Sequence, residues 1–416
     1  MASELTKRAQ TLAEIIAAFT AKTVDCPVIS SQPLPESNDD VVQTLQQALT
    51  AARDSRDWVA ATPIAEMLGL IAFNQGNLSE ARQRLEEAVS FLRTLDQKPA
   101  LAKTLGNLAV VTYYAGDAAR ALESAQEATA LAAEAGLGSR LLHGYLLCEM
   151  AAIQCYLGRY QAGAESFEQA YRIMAQEEDE VGIAWWQYTR AREEYRDKGQ
   201  YALAITQANE ALPVLREKTA NRVVVENLLT LADSQVCVGE LSAAEETLRD
   251  AENLITTHKL YWHRPELSLI RARWHFAKNT PQEASKSAYR GLGLAGDQGD
   301  LRMLASLYRM IATSLESDRT RNEDAQDALN RSINIGQTGA RRIDLALALQ
   351  QNGLLLKGLA NRPAVRARSA GFLFQAEQML TEMGIAPTQG AAPTASPTTS
   401  STSSPPTRPS VAPLSK

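Results

Sequence analysis

The residue types that most often carry acid–base, nucleophilic or metal chemistry are sparse in this sequence. It has four histidines and four cysteines among 416 residues, with neither an HExxH pair nor a CxxC pair. Cys148 and Cys155 lie on one predicted helix, about 10 Å apart along its axis, which is too far for a disulfide. We therefore predict reduced cysteines, and we predict no catalytic residue, no metal site and no cofactor.

One short stretch has the spacing of a nucleotide-binding loop. Gly291, Gly293 and Gly296 satisfy the pattern GxGxxG. A dinucleotide site needs this loop between a strand and a helix, because the helix N-terminus holds the pyrophosphate. Here the glycines end a segment with helical periodicity. The pattern therefore predicts no nucleotide site.

Composition excludes several classes of partner. The formal net charge is −6, and the C-terminal tail contains basic but no acidic residues, so the remainder is more acidic still. An acidic body disfavours a nucleic-acid partner. No apolar run approaches the length of a membrane helix, and the N-terminus lacks a signal-peptide pattern. We predict a cytoplasmic protein that binds neither nucleic acid nor membrane.

A fixed spacing of small and turn residues occurs six times. Small residues stand seven positions before each turn and five and twelve after it; Ala or Gly fills 17 of these 18 positions, and Arg192 is the exception. Small side chains let two helices approach closely, and glycine readily supplies the positive φ of a tight turn. A period of 40 to 42 residues predicts a stack of helical hairpins. The turn residues are Gly76, Gly116, Gly158, Gly199, Gly239 and Asn279.

The period divides the chain into four parts. Residues 1–55 are predicted to form N-terminal helices or a cap, and residues 56–296 form six clear repeats. Residues 297–385 form two degenerate repeats or a C-terminal cap. Residues 386–416 hold seven of the 16 prolines and no aromatic residue. Such a Pro/Ser/Thr-rich segment buries too little apolar surface to offset its ordering entropy, so we predict a disordered tail.

The spacing resembles the tetratricopeptide repeat, in which small residues and a turn glycine recur at fixed positions. Leu105, Ala109, Gly116, Ala121 and Ala128 show it in the second repeat. The period is longer than the common 34 residues. It is similar to the repeats of kinesin light chains and of sensor arms in bacterial signal-responsive regulators. The resemblance implies an all-α fold: an α-solenoid of about eight helix–turn–helix repeats that form a superhelix.

The resemblance also implies a groove on the concave surface, lined by the first helix of each repeat, in which a peptide segment binds. Aromatic and arginine side chains are frequent interface anchors. Packing between neighbouring repeats explains any single aromatic equally well. The residues carried over to the groove are Phe73, Tyr113, Tyr145, Trp186, Glu193, Arg196, Arg273 and Phe276.

The leading hypothesis is a non-enzymatic interaction scaffold that binds a peptide segment of a partner protein in this groove. The alternative is a ligand- or peptide-responsive regulator whose N-terminal helices contact an effector protein. Both predict a protein or peptide partner, and neither defines an oligomeric state. Arg192, beside the groove residue Glu193, makes the fourth repeat the first place to look for specificity.

Overall fold

The computed structural model describes residues 39–386 except Ala220, Ala340, Ala360 and Asn361, and there it consists of helices joined by short turns. The predicted all-α solenoid is confirmed. The sequence before residue 39 and the predicted disordered tail from residue 387 lie outside this range. In the described part, no helix is long and apolar enough to cross a membrane.

Helix α1 (Asp39–Asp54) precedes eight helical hairpins. Short 3-10 turns at Gly136–Ser139, Tyr261–His263 and Arg319–Arg321 join some of the helices. The hairpins are, in order, α2 (Trp58–Asn74) with α3 (Leu78–Leu95), α4 (Lys98–Tyr114) with α5 (Ala118–Glu134), α6 (Arg140–Tyr156) with α7 (Tyr160–Gln176), α8 (Glu180–Arg190) with α9 (Tyr201–Lys218), α10 (Asn221–Val238) with α11 (Leu241–Thr257), α12 (Arg264–Ala277) with α13 (Pro281–Gln298), α14 (Leu301–Leu315) with α15 (Asn322–Thr338), and α16 (Arg342–Gly358) with α17 (Pro363–Glu382).

The six predicted turn residues all adopt a left-handed backbone conformation. Gly76 and Gly116 have φ angles of 80° and 87°. Asn279 has a φ of 58°, in the region that asparagine tolerates better than most residues. The turn signals in the sequence therefore correspond to the turns between the two helices of each of the first six hairpins.

The small residues of the repeat lie where the two helices of a hairpin meet. A Cβ atom on Gly69 would lie 3.0 Å from Leu85 Cγ and 3.2 Å from the carbonyl oxygen of Ala81. Ala81 and Ala88 are completely buried. Larger side chains at these positions would force the helices apart, because protein interiors are already close-packed.

The hairpins coil so tightly that one turn of the superhelix touches the next. Tyr156 Oη, at the end of α6, donates a 3.0 Å hydrogen bond to the carbonyl oxygen of Gly339, 183 residues later. A Cβ atom on Gly76 would lie 2.9 Å from the ring of Trp262. We call these pairings cross-turn contacts. They join the third hairpin to the segment before the eighth, and the first hairpin to the segment before the sixth.

Coiling places the first helix of each hairpin inside and the second outside. In α10, every residue from Arg222 to Val236 is buried. In its partner α11, the buried residues form one narrow stripe at helical spacing, typical of a helix with one face in water. The charged residues of the first helices are therefore largely withdrawn from solvent, which determines the character of the candidate site.

Candidate functional site

Three of the aromatic residues predicted for the groove are covered by the protein's own helices. Phe73, Tyr113 and Tyr145 are at most 7% exposed. The Phe73 ring packs edge-on against Tyr114 at a centroid distance of 5.4 Å, and Tyr113 packs against Tyr156 at 5.0 Å. Their role in a peptide-binding groove stays a prediction. They join neighbouring first helices inside the closed coil.

Trp186 lies at the junction of two hairpins. Its ring packs against Tyr171 of α7 at a centroid distance of 4.8 Å, and its indole nitrogen donates a 2.9 Å hydrogen bond to the carbonyl oxygen of Phe167. The guanidinium of Arg190 lies over the same ring. The contacts with Tyr171 and Phe167 are with the preceding outer helix, so Trp186 packs between repeats, and its assignment to the groove stays a prediction.

Arg192, the exception to the small-residue pattern, lies in a π-helical turn. This turn, Ala191–Tyr195, continues α8 directly. Arg192 is buried, and its Nη2 donates a 2.8 Å hydrogen bond to Glu266 Oε2 on α12. A π-helical turn accommodates an extra residue in a helix and is frequent at functional sites. The fourth hairpin thus brings a guanidinium to a position where the other clear repeats have only a small residue.

Glu193 belongs to a buried ionic cluster that spans the coil. Arg341, which precedes α16, donates from Nη2 to Glu193 Oε2 at 2.9 Å and to Asp197 Oδ2 at 2.6 Å. All three side chains are at most 10% exposed. Burial raises the pKa of Asp197, and the cations of Arg341 and Arg196 oppose this rise. These ion pairs connect the fourth hairpin to the eighth.

Arg196 and Arg273 extend the same cluster along the inner face. Arg273 Nη1 lies 2.6 and 2.7 Å from the two carboxylate oxygens of Asp233. Arg196 Nη1 lies 3.8 Å from Asp233 Oδ2 and 3.6 Å from Glu266 Oε1. The predicted mixture of acidic and basic residues on the inner face is present, but most of these charges are neutralised by one another.

Glu226 is the centre of a second buried cluster, nearer the N-terminus. It accepts hydrogen bonds from Arg222 Nη1 at 2.6 Å, from Tyr114 Oη at 3.0 Å and from Tyr188 Oη. Burial raises the pKa of this carboxyl, but Arg222 and then His263 lead the opposing contributions and hold the pKa at about 2. For the His263 imidazole, burial has the opposite effect and lowers the pKa to about 4, and the carboxylates of Glu226 and Glu266 oppose this fall. We therefore expect an ionised Glu226 beside a neutral His263 at neutral pH.

Glu149, on α6, has the opposite character. It is buried, and burial raises its pKa to about 8, with the carboxylates of Glu226 and Glu193 adding to the rise and Arg222 opposing it. An acid whose pKa is higher in the folded than in the unfolded state binds its proton more tightly when folded. Folding stability then falls as pH rises from the unfolded pKa towards the folded one.

We therefore expect Glu149→Gln to stabilise the protein relative to wild type, increasingly so between pH 5.5 and 7.5. The advantage should grow by at most about 1.4 kcal/mol per pH unit, as measured by urea unfolding at several pH values. Glu165→Gln, at an exposed position on α7, is the matched control and should run parallel to wild type. A Glu149→Gln curve that also ran parallel to wild type would mean that Glu149 is not protonated in the folded state.

A cavity opens on the inner face beside the first ionic cluster. It encloses about 1010 Å³ of space between protein atoms, a volume that includes open solvent. Of the predicted groove residues, Arg196, Arg273 and Phe276 line it. Its charged lining residues are Arg196, Asp197, Asp233, Glu266, Arg273, Arg309, Arg341 and Asp344, and its apolar ones include Leu269, Ile270, Phe276, Met303, Met310, Ile343 and Leu347.

Sequence analysis missed the contribution of the last two hairpins to this cavity. Arg309 comes from α14, Arg341 precedes α16 and Asp344 lies in its first turn. The groove was predicted from the six clear repeats only. The sequences of the two degenerate repeats show helical periodicity in their first helices. A groove extended into these repeats includes α14 and α16.

The structure gives no support to a nucleotide site, a reactive cysteine or a metal site, all of which the sequence argued against. Gly291, Gly293 and Gly296 lie inside α13, and α12 precedes that helix. Cys148 and Cys155 are free and buried, and burial raises the pKa of both thiols, which disfavours the reactive thiolate. Among residues 39–386 with the stated gaps, no group of three or more His, Cys, Asp or Glu side chains is arranged to hold a metal ion.

The architecture is that of an α-solenoid built from helical hairpins. Residues 58–134, the first two hairpins, match the family model of the tetratricopeptide repeat. A Rap protein complexed with competence and sporulation factor has a similar fold, with a TM-score of 0.60 and 12% sequence identity over 92% of this chain and 99% of that one. The Rap conjugation gene regulator of plasmid pLS20, complexed with the Phr* peptide, has a TM-score of 0.58 and 14% identity over 73% and 86% of the two chains.

A third similar structure is a STAND protein with a tetratricopeptide repeat sensor from Pyrococcus horikoshii, with 10% identity and a TM-score of 0.47. The match covers 83% of this chain and 54% of the length of that protein. No curated protein sequence is significantly similar. The repeat spacing, the hairpin stack and the family match together define a tetratricopeptide-type repeat protein. Arrays of this kind are protein-interaction scaffolds with a concave binding surface.

Proposed function

We propose that this protein is a non-enzymatic interaction protein that binds a short peptide segment in the inner-face cavity of hairpins four to eight. The observation that carries the proposal is the cavity itself. It lies on the concave surface and combines apolar with charged lining residues, as ligand sites commonly do. The peptide is a segment of a partner protein or a free signalling peptide.

The closed coil narrows the earlier expectation of a groove along all the repeats. Phe73, Tyr113 and Tyr145 are buried by internal packing, and Arg196, Arg273 and Phe276 are the predicted groove residues that line this cavity. The two similar Rap structures were solved with bound peptides, and their folds match over most of this chain. That likeness supports a peptide ligand, and the sequence of the peptide is to be found by selection from a library.

Filling the cavity should abolish binding. Ser306 is a small, buried residue that lines the cavity, so Ser306→Tyr would place a ring in the space meant for the ligand. The assay is affinity selection from a synthetic library of random hexapeptides, followed by calorimetric titration of the enriched sequences. Wild type should enrich a related set of peptides, and Ser306→Tyr should bind them at least about tenfold more weakly.

Ser242→Tyr is the matched control, because Ser242 is exposed on the outer helix α11. It should bind the selected peptides as wild type does. A wild-type protein that enriches no peptide, or a Ser306→Tyr protein that folds and binds as wild type does, would overturn the proposal.

A peptide-responsive regulator is the second candidate, and one observation favours it. Arg341 and Asp197 line the cavity and also form the ion pair that holds the eighth hairpin against the fourth. A ligand that engages either residue alters the closure of the coil, and a ligand shifts an equilibrium by its differential affinity for the two states. Small-angle scattering of the protein with and without a selected peptide tests this idea. An unchanged radius of gyration together with unchanged amide exchange in α16 would argue for a static scaffold.

A further inference from the structure

We propose that the cavity selects a peptide that presents one carboxylate to Arg309 and one cationic group to Asp344. This inference rests on the proposed peptide-binding function and identifies the charges that the ligand must carry. It follows from the pairing of the charged side chains around the cavity.

Six of the eight charged lining residues neutralise one another. Arg341 pairs with Asp197, Arg273 pairs with Asp233, and Arg196 lies within ion-pair distance of Glu266. Arg309 and Asp344 are different. Within the described part of the chain, neither side chain forms an ion pair or a hydrogen bond, and the two lie outside ion-pair distance of each other.

Arg309 differs from the other arginines of the lining. Its Nε is buried and has no hydrogen-bond partner among the described residues. Burial lowers the pKa of this guanidinium, and the neighbouring cation of Arg273 lowers it further. The Arg309 side chain as a whole is partly buried. A cation withdrawn from water without a counter-ion costs free energy, and a carboxylate that reached it would reduce that cost. Guanidinium groups bind carboxylates with paired, charge-assisted hydrogen bonds.

Asp344 supplies the complementary charge. It is 6% exposed and lies in the first turn of α16, where the helix N-terminus favours a negative side chain. Its unit charge contributes to the electrostatic environment of both Arg341 and Arg309. A ligand ammonium or guanidinium placed against Asp344 would complete the pairing of the cavity's charges.

The remainder of the lining defines what lies between the two charges. Met303, Met310 and Phe276 present apolar surface, and methionine side chains adapt to differently shaped partners. The lining carries four arginines and four acids, so its formal charge is zero. That balance disfavours a polyanion such as a nucleotide and favours a ligand with one charge of each sign. A short peptide with an apolar residue between its charges has this chemistry.

The test uses the tightest hexapeptide from the library selection, because its charges can be removed one at a time. In one series each carboxylate, at the C-terminus or on a side chain, is converted to an amide. In a second series each amino group is acetylated. These arms distinguish a terminal charge from a side-chain charge. Each peptide is titrated into wild type, Arg309→Gln, Asp344→Asn and the exposed control Arg249→Gln.

For wild type and Arg249→Gln, one amidated peptide should bind roughly 10- to 100-fold more weakly than its parent. Arg309→Gln should lose affinity for the parent by a similar factor and should no longer distinguish the acid from the amide. Asp344→Asn should lose affinity for the parent peptide by a similar factor and should no longer distinguish the parent from one acetylated peptide. If Arg309→Gln still distinguishes acid from amide as wild type does, the charge assignment is overturned while peptide binding stands. If wild type selects no peptide, the proposed function fails first.

A second measurement needs no ligand. Because Arg309 has no counter-ion, Arg309→Gln should leave the thermal midpoint of the free protein unchanged or raise it. A drop in midpoint as large as that caused by breaking a buried ion pair would show that Arg309 is already neutralised, and would overturn the inference.

Discussion

Replacement of Glu226 by Gln is expected to lower the free energy of unfolding by about 3–5 kcal/mol, because it removes the carboxylate of a buried ion pair. Arg222 donates to Glu226 at 2.6 Å, and both side chains are at most 8% exposed. The hydroxyls of Tyr114 and Tyr188 also donate to this carboxylate, so the substitution weakens three interactions at once. Urea unfolding at pH 7 measures the effect.

The pH dependence of the same variant gives an independent check. The pKa of Glu226 is about 2 in the folded protein, below its ordinary value of 4.5. A lowered pKa contributes stability that is present above the unfolded pKa and is lost as pH falls towards the folded one. The difference between wild type and Glu226→Gln should therefore be constant above about pH 5 and shrink below it.

Glu245→Gln is the matched control for the loss of an ion pair. Glu245 pairs with Arg249 one helical turn later, and both side chains are exposed. Exposed pairs of this kind contribute only about 0.3–0.5 kcal/mol. If Glu226→Gln cost no more than Glu245→Gln, the second buried cluster would not contribute to stability in the way described.

Replacement of Arg341 by Met is expected to cost about 3 kcal/mol and to expand the coil. The substitution keeps an unbranched apolar stem but removes the guanidinium that pairs with the buried carboxylates of Glu193 and Asp197, which lie 148 and 144 residues away in the sequence. Two like charges at close range also repel each other. Urea unfolding measures the stability, and small-angle scattering should show a larger radius of gyration.

The adjacent residue provides the control. Arg342 pairs with Glu382 at 3.0 Å, but both side chains are about half exposed, so Arg342→Met should change stability by less than about 1 kcal/mol. Burial raises the pKa of Asp197 and Arg341 opposes that rise, so in Arg341→Met the pKa of Asp197 should rise further and the deficit should be smaller at pH 5 than at pH 8. An Arg341→Met protein as compact and as stable as Arg342→Met would contradict the role of the cluster in closing the coil.

The hairpins could be predicted from sequence because their signals are local. Gly76 and Asn279 define turns through their own backbone conformations, and Gly69 and Ala81 define helix contacts within one hairpin. Each of these effects acts over at most a few tens of residues. The repeat spacing therefore carried nearly all the information needed for the solenoid.

The candidate site could be predicted only in part, because it depends on contacts between distant hairpins. No local pattern indicates that Tyr156 meets Gly339, or that Arg341 reaches Glu193. Those pairings follow from the pitch of the coil, which sums small rotations over several repeats. The one useful local signal was Arg192, whose departure from the small-residue pattern coincides with the π-helical turn.

The cross-turn contacts also have a consequence for folding kinetics and cooperativity. In an open solenoid each unit contacts only its neighbours, so units can melt or form one after another. Here the hydrogen bond from Tyr156 to the Gly339 carbonyl and the ion pairs of Arg341 join segments 144 to 183 residues apart. Contacts of such long range slow folding, because the loop entropy is lost before the contact forms. They also transmit the unfolding of one central hairpin to both ends of the array. The array should therefore unfold as a single cooperative unit and not repeat by repeat.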